Sequence, residues 1–331
     1  MFASTAKPLI LRIEGEMNMK KALKIAGIVL LIIAAMIVLL LVALAHKQSA
    51  PKKYWEKIQT SAATEAKYNA LGGYVVASKK FDAPHDDRDK NENHFVVWYP
   101  KETGKYPLVV LVNGTSVPCN KYEAVFEHIA SWGYVVIGND YGTNWDGRHS
   151  SETLDFALHT EEISKMIDPD KIAIGGHSQG GMGAFNAVTE YENGSNYKAI
   201  FSLSPTNPEL ALGLQWGFEL GTDGQYAYRL DKISIPVLLA AGTGKFDSET
   251  VSPLEKMTEE YGELHTDKVM FRRADGVDHA SMLYEANGYA IAWLDYYLKG
   301  VKENKTAFFG DETEISSNVR YQDFCSEEAA K

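Results

Sequence analysis

Short apolar runs alternate with longer amphipathic stretches through most of this chain. Residues 108–112 (LVVLV) form an unbroken apolar run, which indicates a strand buried on both faces of a sheet. Helices are predicted at residues 121–132, 151–166, 181–188 and 288–298. Further short runs rich in apolar residues predict strands at residues 74–79, 94–99, 134–138, 171–175, 199–203, 237–241 and 268–272. The alternation predicts an α/β domain, with a mostly parallel central sheet of about eight strands and helices on both faces.

One segment near the N-terminus is too long and too apolar for that domain. Residues 25–45 are 21 residues without a charge, which at about 1.5 Å per residue span roughly the 30 Å of a bilayer's hydrocarbon core. We predict a transmembrane signal anchor, because the apolar part of a cleaved signal peptide is typically about 7–15 residues long. Ala43-Leu44-Ala45 resembles a cleavage site, so secretion after cleavage near Ala45 stays open.

The anchor divides the chain into four parts. A short tail covers residues 1–24, a polar juxtamembrane stalk covers residues 46–70, and a globular domain covers residues 71–331. Residues 17–21 (MNMKK) would themselves make a conventional beginning for a signal anchor. We therefore interpret residues 1–16 as the result of a translation start assigned too far upstream. The lysines directly before the anchor favour a cytoplasmic N-terminus, which places the globular domain outside the cytoplasm.

The distribution of charge limits the partners of the domain. The net charge is −11, and the first 46 residues carry five basic and two acidic side chains, so the remaining part carries −14. Such an acidic domain repels the phosphates of nucleic acids, which excludes a nucleic-acid-binding role. No metal site is predicted, because the acidic residues 82–93 lack the pattern of a calcium loop and no zinc-like spacing exists. A disulfide between Cys119 and Cys325 stays open.

A G-x-S-x-G motif follows the strand predicted at residues 171–175. It reads Gly176-His177-Ser178-Gln179-Gly180 and leads into a helical stretch. Strand, sharp turn and helix are the context in which this motif forms a nucleophile elbow, with the serine in a strained backbone conformation. Glycine is needed on both sides of the turn, since a Cβ atom there would collide with the neighbouring strand or helix. Ser178 is the predicted nucleophile, and His177 is predicted to pack in the core beneath the turn.

A serine hydroxyl needs a base and a carboxylate that orients the base. After an elbow serine, these residues follow in the order acid, then histidine. His279 lies between the last strand and the last helix and is the predicted base, whereas His265, in a polar connection, is predicted to be exposed. Asp247 and Glu249 both qualify as the acid, in the loop after the strand at residues 237–241. We favour Asp247, because its shorter side chain suits a fixed bond to the imidazole, and Glu249 stays the alternative.

Acyl transfer also requires hydrogen-bond donors for a developing oxyanion, and the loss of one donor costs roughly 3–4 kcal/mol. The backbone N–H of Gln179, directly after the nucleophile, is one predicted donor. The backbone N–H of Thr115, in the loop after the third strand, is the other. Residues 113–115 (NGT) also match a glycosylation sequence. A glycan there would block the site, so we interpret Asn113 as structural.

Four segments together resemble the α/β-hydrolase superfamily, namely GGHSQGG, LVVLVNGT, SWGYVVIGNDYGTN and the late GVDH. They resemble in particular the cutinase-like polyester hydrolases, with chlorophyllase and dienelactone hydrolase relatives, over roughly residues 72–300. The resemblance implies hydrolysis of carboxylic esters through an acyl-enzyme, without a cofactor. Polyester hydrolases carry an aromatic residue where Thr115 stands, so small or medium acyl esters are the expected substrates. Trp145, after the fourth strand, and Trp216, in an irregular insertion at residues 206–235, are candidate substrate-binding residues.

The expected protein is therefore a membrane-anchored, extracytoplasmic serine esterase or lipase acting on small-molecule or lipid-like esters. A serine peptidase or an acyltransferase would use the same three residues. A surface-binding module on an inactive hydrolase scaffold is the non-enzymatic alternative, and the complete set of Ser178, Asp247 and His279 argues against it. The physiological substrate and the oligomeric state stay open at this stage.

Overall fold

A nine-stranded sheet lies at the centre of the fold. The computed structural model describes residues 49–86, 92–218 and 228–329. The strands are β1 (Val76–Asp82), β2 (His94–Pro100), β3 (Tyr106–Val112), β4 (Val135–Asn139), β5 (Ile167–His177), β6 (Tyr197–Leu203), β7 (Val237–Gly242), β8 (Lys268–Arg273) and β9 (Tyr321–Glu327). Their spatial order is β1-β2-β4-β3-β5-β6-β7-β8-β9. This order brings the carboxyl ends of β3, β5, β6 and β7 side by side at one edge of the sheet.

The sheet is parallel in its middle and antiparallel at its ends. The strands from β4 across to β8 pair in parallel, while β1 with β2, β2 with β4, and β8 with β9 pair antiparallel. The eight strands predicted from the sequence are present, and β9 is an additional strand that the prediction missed. Its sequence, YQDFCSE, alternates polar and apolar residues without an apolar run.

Helices cover both faces of the sheet. The helices are α1 (Ala63–Asn69), α2 (Glu123–Ser131), α3 (Arg148–His159), α4 (Glu161–Ser164), α5 (Gln179–Thr189), α6 (Pro208–Phe218), α7 (Leu254–Glu263), α8 (Met282–Glu285), α9 (Asn287–Lys299), α10 (Lys305–Phe308) and α11 (Glu314–Ser317). Side chains of α2 and α9 join one buried apolar cluster, and side chains of α3, α5 and α7 join another. The sheet and its two helical layers therefore have the arrangement of an α/β-hydrolase fold.

The strand β3 shows why these layers form. Val109 and Leu111 belong to the first cluster, whereas Leu108, Val110 and Val112 belong to the second. Successive side chains of a strand point to opposite faces of the sheet, so an unbroken apolar run supplies both cores at once.

Packed structure begins before the predicted domain boundary at residue 71. The segment predicted as a stalk contributes Tyr54 and Tyr68 to the first apolar cluster. The Tyr54 hydroxyl bonds Nδ1 of the buried His128 at 2.7 Å. The carboxylate of Glu65, on α1, is buried and lies 3.1 Å from the Arg320 guanidinium. A few buried side chains therefore pack this segment against the domain, although most of its polar side chains are exposed.

Two further predictions concern the membrane anchor and the two cysteines. The anchor predicted at residues 25–45 lies outside the described residues, and within the described ranges no helix combines the length and the apolar character that crossing a bilayer requires. Cys119 is buried and Cys325 lies on the edge strand β9, and both are free thiols. The Cys119 thiol donates to the Asn139 carbonyl at 3.0 Å.

Candidate active site

Ser178 occupies the sharp turn between β5 and α5. Its backbone angles are φ 61° and ψ −124°, a left-handed conformation that is strained for any residue with a Cβ atom. The elbow glycines make the turn possible. A Cβ atom on Gly176 would lie 2.2 Å from the Gly180 carbonyl oxygen, and one on Gly180 would lie 2.2 Å from the Val112 carbonyl oxygen. The turn therefore presents Ser178 at the carboxyl edge of the sheet, as the motif predicts.

The structure joins His279 to Asp247. His279 follows β8 in a short helical turn, and its Nδ1–H donates to Asp247 Oδ1 at 2.6 Å. The other carboxylate oxygen, Oδ2, accepts from the Ser204 hydroxyl at 2.6 Å and from the Gly242 N–H at 2.8 Å. Three donors thus fix the carboxylate, and the carboxylate fixes the orientation of the imidazole ring. Ser204, at the end of β6, was not identified from the sequence, because nothing local links it to residue 247.

These contacts keep Asp247 ionised although it is fully buried. Burial alone would raise the pKa of the carboxyl, but the charge of His279 and the hydrogen bonds from His279, Ser204 and Gly242 outweigh it and hold the pKa below its usual value. Glu249, the alternative acid, is exposed and lies 3.8 Å from Lys245. Of the two candidate carboxylates, Asp247 is the one that contacts His279.

The histidine next to the nucleophile packs beneath the turn. His177 is fully buried, and burial together with the charge of His279 lowers its pKa to about 3. A neutral imidazole carries one N–H, and the Nε2 atom lies 2.8 Å from the His279 carbonyl oxygen, so Nε2 donates this bond. The two rings lie 4.6 Å apart. His177 therefore holds the backbone of His279 beside the elbow. The exposed His265 lies elsewhere on the surface.

The loop after β3 carries the second predicted oxyanion donor. Asn113 is buried, and its Nδ2 group donates to the carbonyls of Val117 and Tyr141. The Gly114 N–H donates to the Tyr122 hydroxyl at 2.7 Å. Thr115 is partly exposed at the tip. Because the Asn113 amide is buried and engaged, it is a structural residue and not an accessible glycosylation acceptor.

The aromatic residues around the site differ from those that the sequence suggested. Trp145 is 4% exposed and belongs to the second apolar cluster, so it lies in the core and not on the wall of an open cleft. Its loop turns inward, because the Asn186 side chain on α5 donates to the Trp145 carbonyl at 2.9 Å. Trp216 belongs to α6, and its side chain lies outside the described part of the chain. Phe246 instead stands edge-on to His279, with ring centroids 5.2 Å apart.

Phe246 was missed by the sequence reasoning, although a signal was present. It directly precedes Asp247, in the loop after β7. Among the described residues, no group of three or more histidine, cysteine, aspartate or glutamate side chains is placed to hold a metal ion.

The sequence of this chain is similar to those of known proteins. A family model described as chlorophyllase matches residues 66–244. Cutinase est1 of Thermobifida alba is 24% identical over 214 residues, which cover 61% of this chain and 64% of that protein. Cutinase cut1 of Thermobifida fusca is also 24% identical over 214 residues, which cover 61% of this chain and 59% of that protein. Chlorophyllase-1, chloroplastic, of Citrus unshiu is 26% identical over 121 residues, which cover 33% of this chain and 36% of that protein. The matched region spans less than two thirds of each of these three relatives.

Proposed function

Because the chain belongs to the chlorophyllase family within the α/β-hydrolases, we propose that it is a serine hydrolase that cleaves carboxylic esters. One observation carries the proposal. The hydrogen bond between Asp247 and His279 is formed at the same sheet edge to which the elbow brings Ser178. The names of the relatives, cutinases and chlorophyllases, support the same class of reaction.

In the proposed reaction the Ser178 hydroxyl attacks the ester carbonyl carbon. His279 Nε2 takes the hydroxyl proton, and Asp247 stabilises the imidazolium through the bond to Nδ1. The tetrahedral intermediate then collapses, the bond to the alcohol oxygen breaks, and the alcohol leaves with the proton from Nε2. A water molecule repeats the sequence on the acyl-enzyme, releasing the acid and restoring Ser178. Every proton that is taken up is returned, so the imidazole and the serine are ready for the next cycle.

Two backbone N–H groups are the proposed donors to the oxyanion of this intermediate. Gln179 is the first residue of α5, and the N–H groups of the first helical turn have no partner within the helix. The same end of the helix carries a partial positive charge, which favours a negative oxygen there. The Thr115 N–H, at the tip of the loop after β3, is the second proposed donor.

The proposed substrates are esters with small or medium acyl groups. Thr115 stands where the polyester hydrolases that this sequence resembles carry an aromatic residue, and Phe246 supplies an apolar edge next to His279. Both features favour a compact acyl group held near the imidazole over a flat polymer chain stacked on two aromatic walls.

We also propose that the hydrolase domain is held outside the cytoplasm by residues 25–45. The support is the 21-residue apolar run and the lysines before it. Two measurements on cells that express the full chain test this proposal. Membranes isolated from the cells are washed with alkaline carbonate, and an anchored protein should stay in the membrane pellet. Intact cells are treated with protease, and a domain outside the cytoplasm should be digested. Recovery of a shortened chain in the medium would instead indicate cleavage near Ala45.

The central experiment uses the full chain in detergent, as wild type and as Ser178→Ala. Both are incubated with a fluorophosphonate probe and with p-nitrophenyl esters of increasing acyl length. We expect labelling and hydrolysis by the wild type, and neither by Ser178→Ala. Ser195→Ala, which changes an exposed serine in the short helical turn after α5, is the matched control and should behave as the wild type.

The other reaction classes are outcomes of the same experiment. Hydrolysis of acyl-peptides faster than of matched esters would indicate a peptidase. Faster product formation on addition of an alcohol acceptor would indicate an acyltransferase. A folded wild type that neither labels nor hydrolyses would overturn the enzymatic proposal and favour a binding module.

A further inference from the structure

The side chain of Gln179 contacts the loop next to the second proposed oxyanion donor. We infer that Gln179 is a positioning residue, which supplies one donor from its backbone and holds the other donor, the Thr115 N–H, in place through its side-chain amide. The inference rests on the proposed function and concerns the same site.

One backbone carbonyl carries the link. The Gly142 carbonyl, in the loop after β4, accepts from Gln179 Nε2 at 3.2 Å and from the Ser116 N–H at 2.9 Å. Ser116 is the residue directly after Thr115. The first residue of α5 and the loop after β3 are therefore tied to the same oxygen atom, and the two proposed donors cannot shift independently.

The loop needs such a support. Ser116 has a φ of 55°, a left-handed conformation that costs free energy for a residue with a Cβ atom. Asn113 closes the loop internally by donating to the Val117 carbonyl, and Asn144 donates to Asn113 Oδ1 at 3.0 Å. These bonds fix the shape of the loop, while the bond through Gly142 fixes its position relative to the elbow.

The Gln179 side chain is not optimised for stability. It is fully buried, and within the described residues its Oε1 atom has no hydrogen-bond partner. A buried polar atom without a partner destabilises the folded state. An apolar side chain of the same length would avoid this cost. The contact that this buried amide makes on its other side is the bond from Nε2 to the Gly142 carbonyl, which concerns the geometry of the site.

The test compares two variants of the full-length enzyme in detergent. Gln179→Met keeps the backbone N–H and the length of the side chain but removes the bond to Gly142. We expect kcat to fall about 10- to 100-fold, KM to stay within about 2-fold, and the melting temperature to equal or exceed that of the wild type. A residue with a merely structural role would instead lower the melting temperature and leave kcat unchanged.

The matched control is Asn186→Leu. Asn186 lies on the same helix, is equally buried, and its amide donates to the Trp145 carbonyl at 2.9 Å. It therefore ties α5 to the same loop, three residues beyond Gly142 and away from Ser116. We expect this variant to have a lower melting temperature and a kcat within about 2-fold of wild type. Equal losses of kcat in both variants would show that general anchoring of the loop matters, and would overturn the specific role of Gln179.

A second measurement uses an alkyl trifluoromethyl ketone, which forms a tetrahedral adduct with an active serine. For Gln179→Met its inhibition constant should rise by the same factor by which kcat/KM falls, while binding of the carboxylate product stays unchanged. Wild-type kcat in Gln179→Met would overturn the positioning role and leave the proposed hydrolase intact. If the wild type itself hydrolyses no ester and forms no adduct, the proposed function fails and this inference fails with it.

Discussion

At the scale of one residue, Asp247 shows how a buried carboxylate is held in place and orients a neighbouring imidazole. A carboxylate away from water is costly unless its lone pairs are satisfied. Here the Ser204 hydroxyl and the Gly242 N–H bind Oδ2, and His279 Nδ1–H binds Oδ1. Two of the donors belong to the ends of neighbouring strands, so the sheet itself orients the carboxylate. The remaining donor is the imidazole, which is thereby held in the tautomer that leaves Nε2 free to accept a proton.

The first prediction is that Asp247→Asn lowers kcat for p-nitrophenyl butyrate by about 10⁴-fold, the loss that follows when the acid of a Ser-His-Asp triad becomes an amide. The amide favours the wrong imidazole tautomer while it keeps the shape of the side chain. Glu249→Gln removes the exposed alternative and should retain wild-type activity. Comparable activity in Asp247→Asn and wild type, or a larger loss in Glu249→Gln, would reassign the acid.

At the scale of single elements, the elbow depends on close approach of backbones. The Gly180 Cα faces the Val112 carbonyl, which belongs to β3, so the start of α5 and the end of β3 touch without any side chain between them. Backbone atoms of two central elements cannot move apart without opening the sheet edge that carries the site.

The second prediction contrasts two substitutions of glycine by alanine. Gly180→Ala should abolish activity and destabilise the domain by roughly 3 kcal/mol or more, because a Cβ atom 2.2 Å from a carbonyl oxygen overpacks the core. Gly262→Ala, on α7, meets no atom within 4 Å and should raise the stability by about 0.5–1 kcal/mol. Chemical unfolding of both variants checks this. A Gly180→Ala enzyme with normal stability would contradict the role given to the elbow glycine.

The elements that the sequence predicts correctly are those with a strong local signal. β3 is an unbroken apolar run. β5 and α5 lie on either side of the G-x-S-x-G motif, whose glycines are required by a sharp turn. The predicted helix at residues 151–166 is instead two helices, α3 and α4, separated at Thr160, which has an extended backbone. β9 was missed because an edge strand needs only one buried face, and its alternating residues resemble a polar loop.

The site was predictable to the extent that its residues follow strands in a fixed order. Ser178, Asp247 and His279 come at strand ends, so topology alone brings them to one edge of the sheet. The contacts of Ser204 and His177 are different, because they join residues 43 and 102 positions apart in the sequence. Only the register of the folded sheet decides such pairs, and the burial of Trp145 is decided in the same way.

At the scale of the whole molecule, buried polar networks join distant parts of the chain. Glu65, on α1, accepts from the Asn318 amide at 2.7 Å and from the Tyr321 hydroxyl at 2.7 Å, and it pairs with Arg320. These partners lie near the C-terminus, next to and on β9. These bonds join α1 to β9 and to the residues just before it, so α1 and the edge strand stabilise each other.

A second buried carboxylate makes the stability of the whole domain depend on pH. Glu260, on α7, is 3% exposed, and its Oε1 accepts from the Tyr228 hydroxyl at 2.6 Å. Burial raises the pKa of Glu260 to about 8, and the charges of Glu263 and Glu259 add to the effect, while the bond from Tyr228 and the charge of Lys256 oppose it. In the folded protein this carboxyl therefore keeps its proton at neutral pH, whereas in the unfolded chain it is ionised.

The sign of the pH dependence follows from this raised pKa. Below the ordinary pKa of glutamate, about 4.3, both states are protonated and folding is not penalised. As the pH rises to about 8 the unfolded chain loses the proton first, so the folded state loses stability over this range and reaches a constant penalty above it. Glu260→Gln removes this penalty, so its advantage in stability over wild type should be larger at pH 9 than at pH 5 by roughly 2–4 kcal/mol.

Thermal melts of wild type, Glu260→Gln and the exposed helix variant Glu255→Gln at both pH values measure this difference. The advantage of Glu260→Gln should be clearly larger at pH 9 than at pH 5, while Glu255→Gln should shift the melting temperature equally at both values. An equal shift for Glu260→Gln at pH 5 and pH 9 would show that packing, and not ionisation, sets the behaviour of this carboxyl.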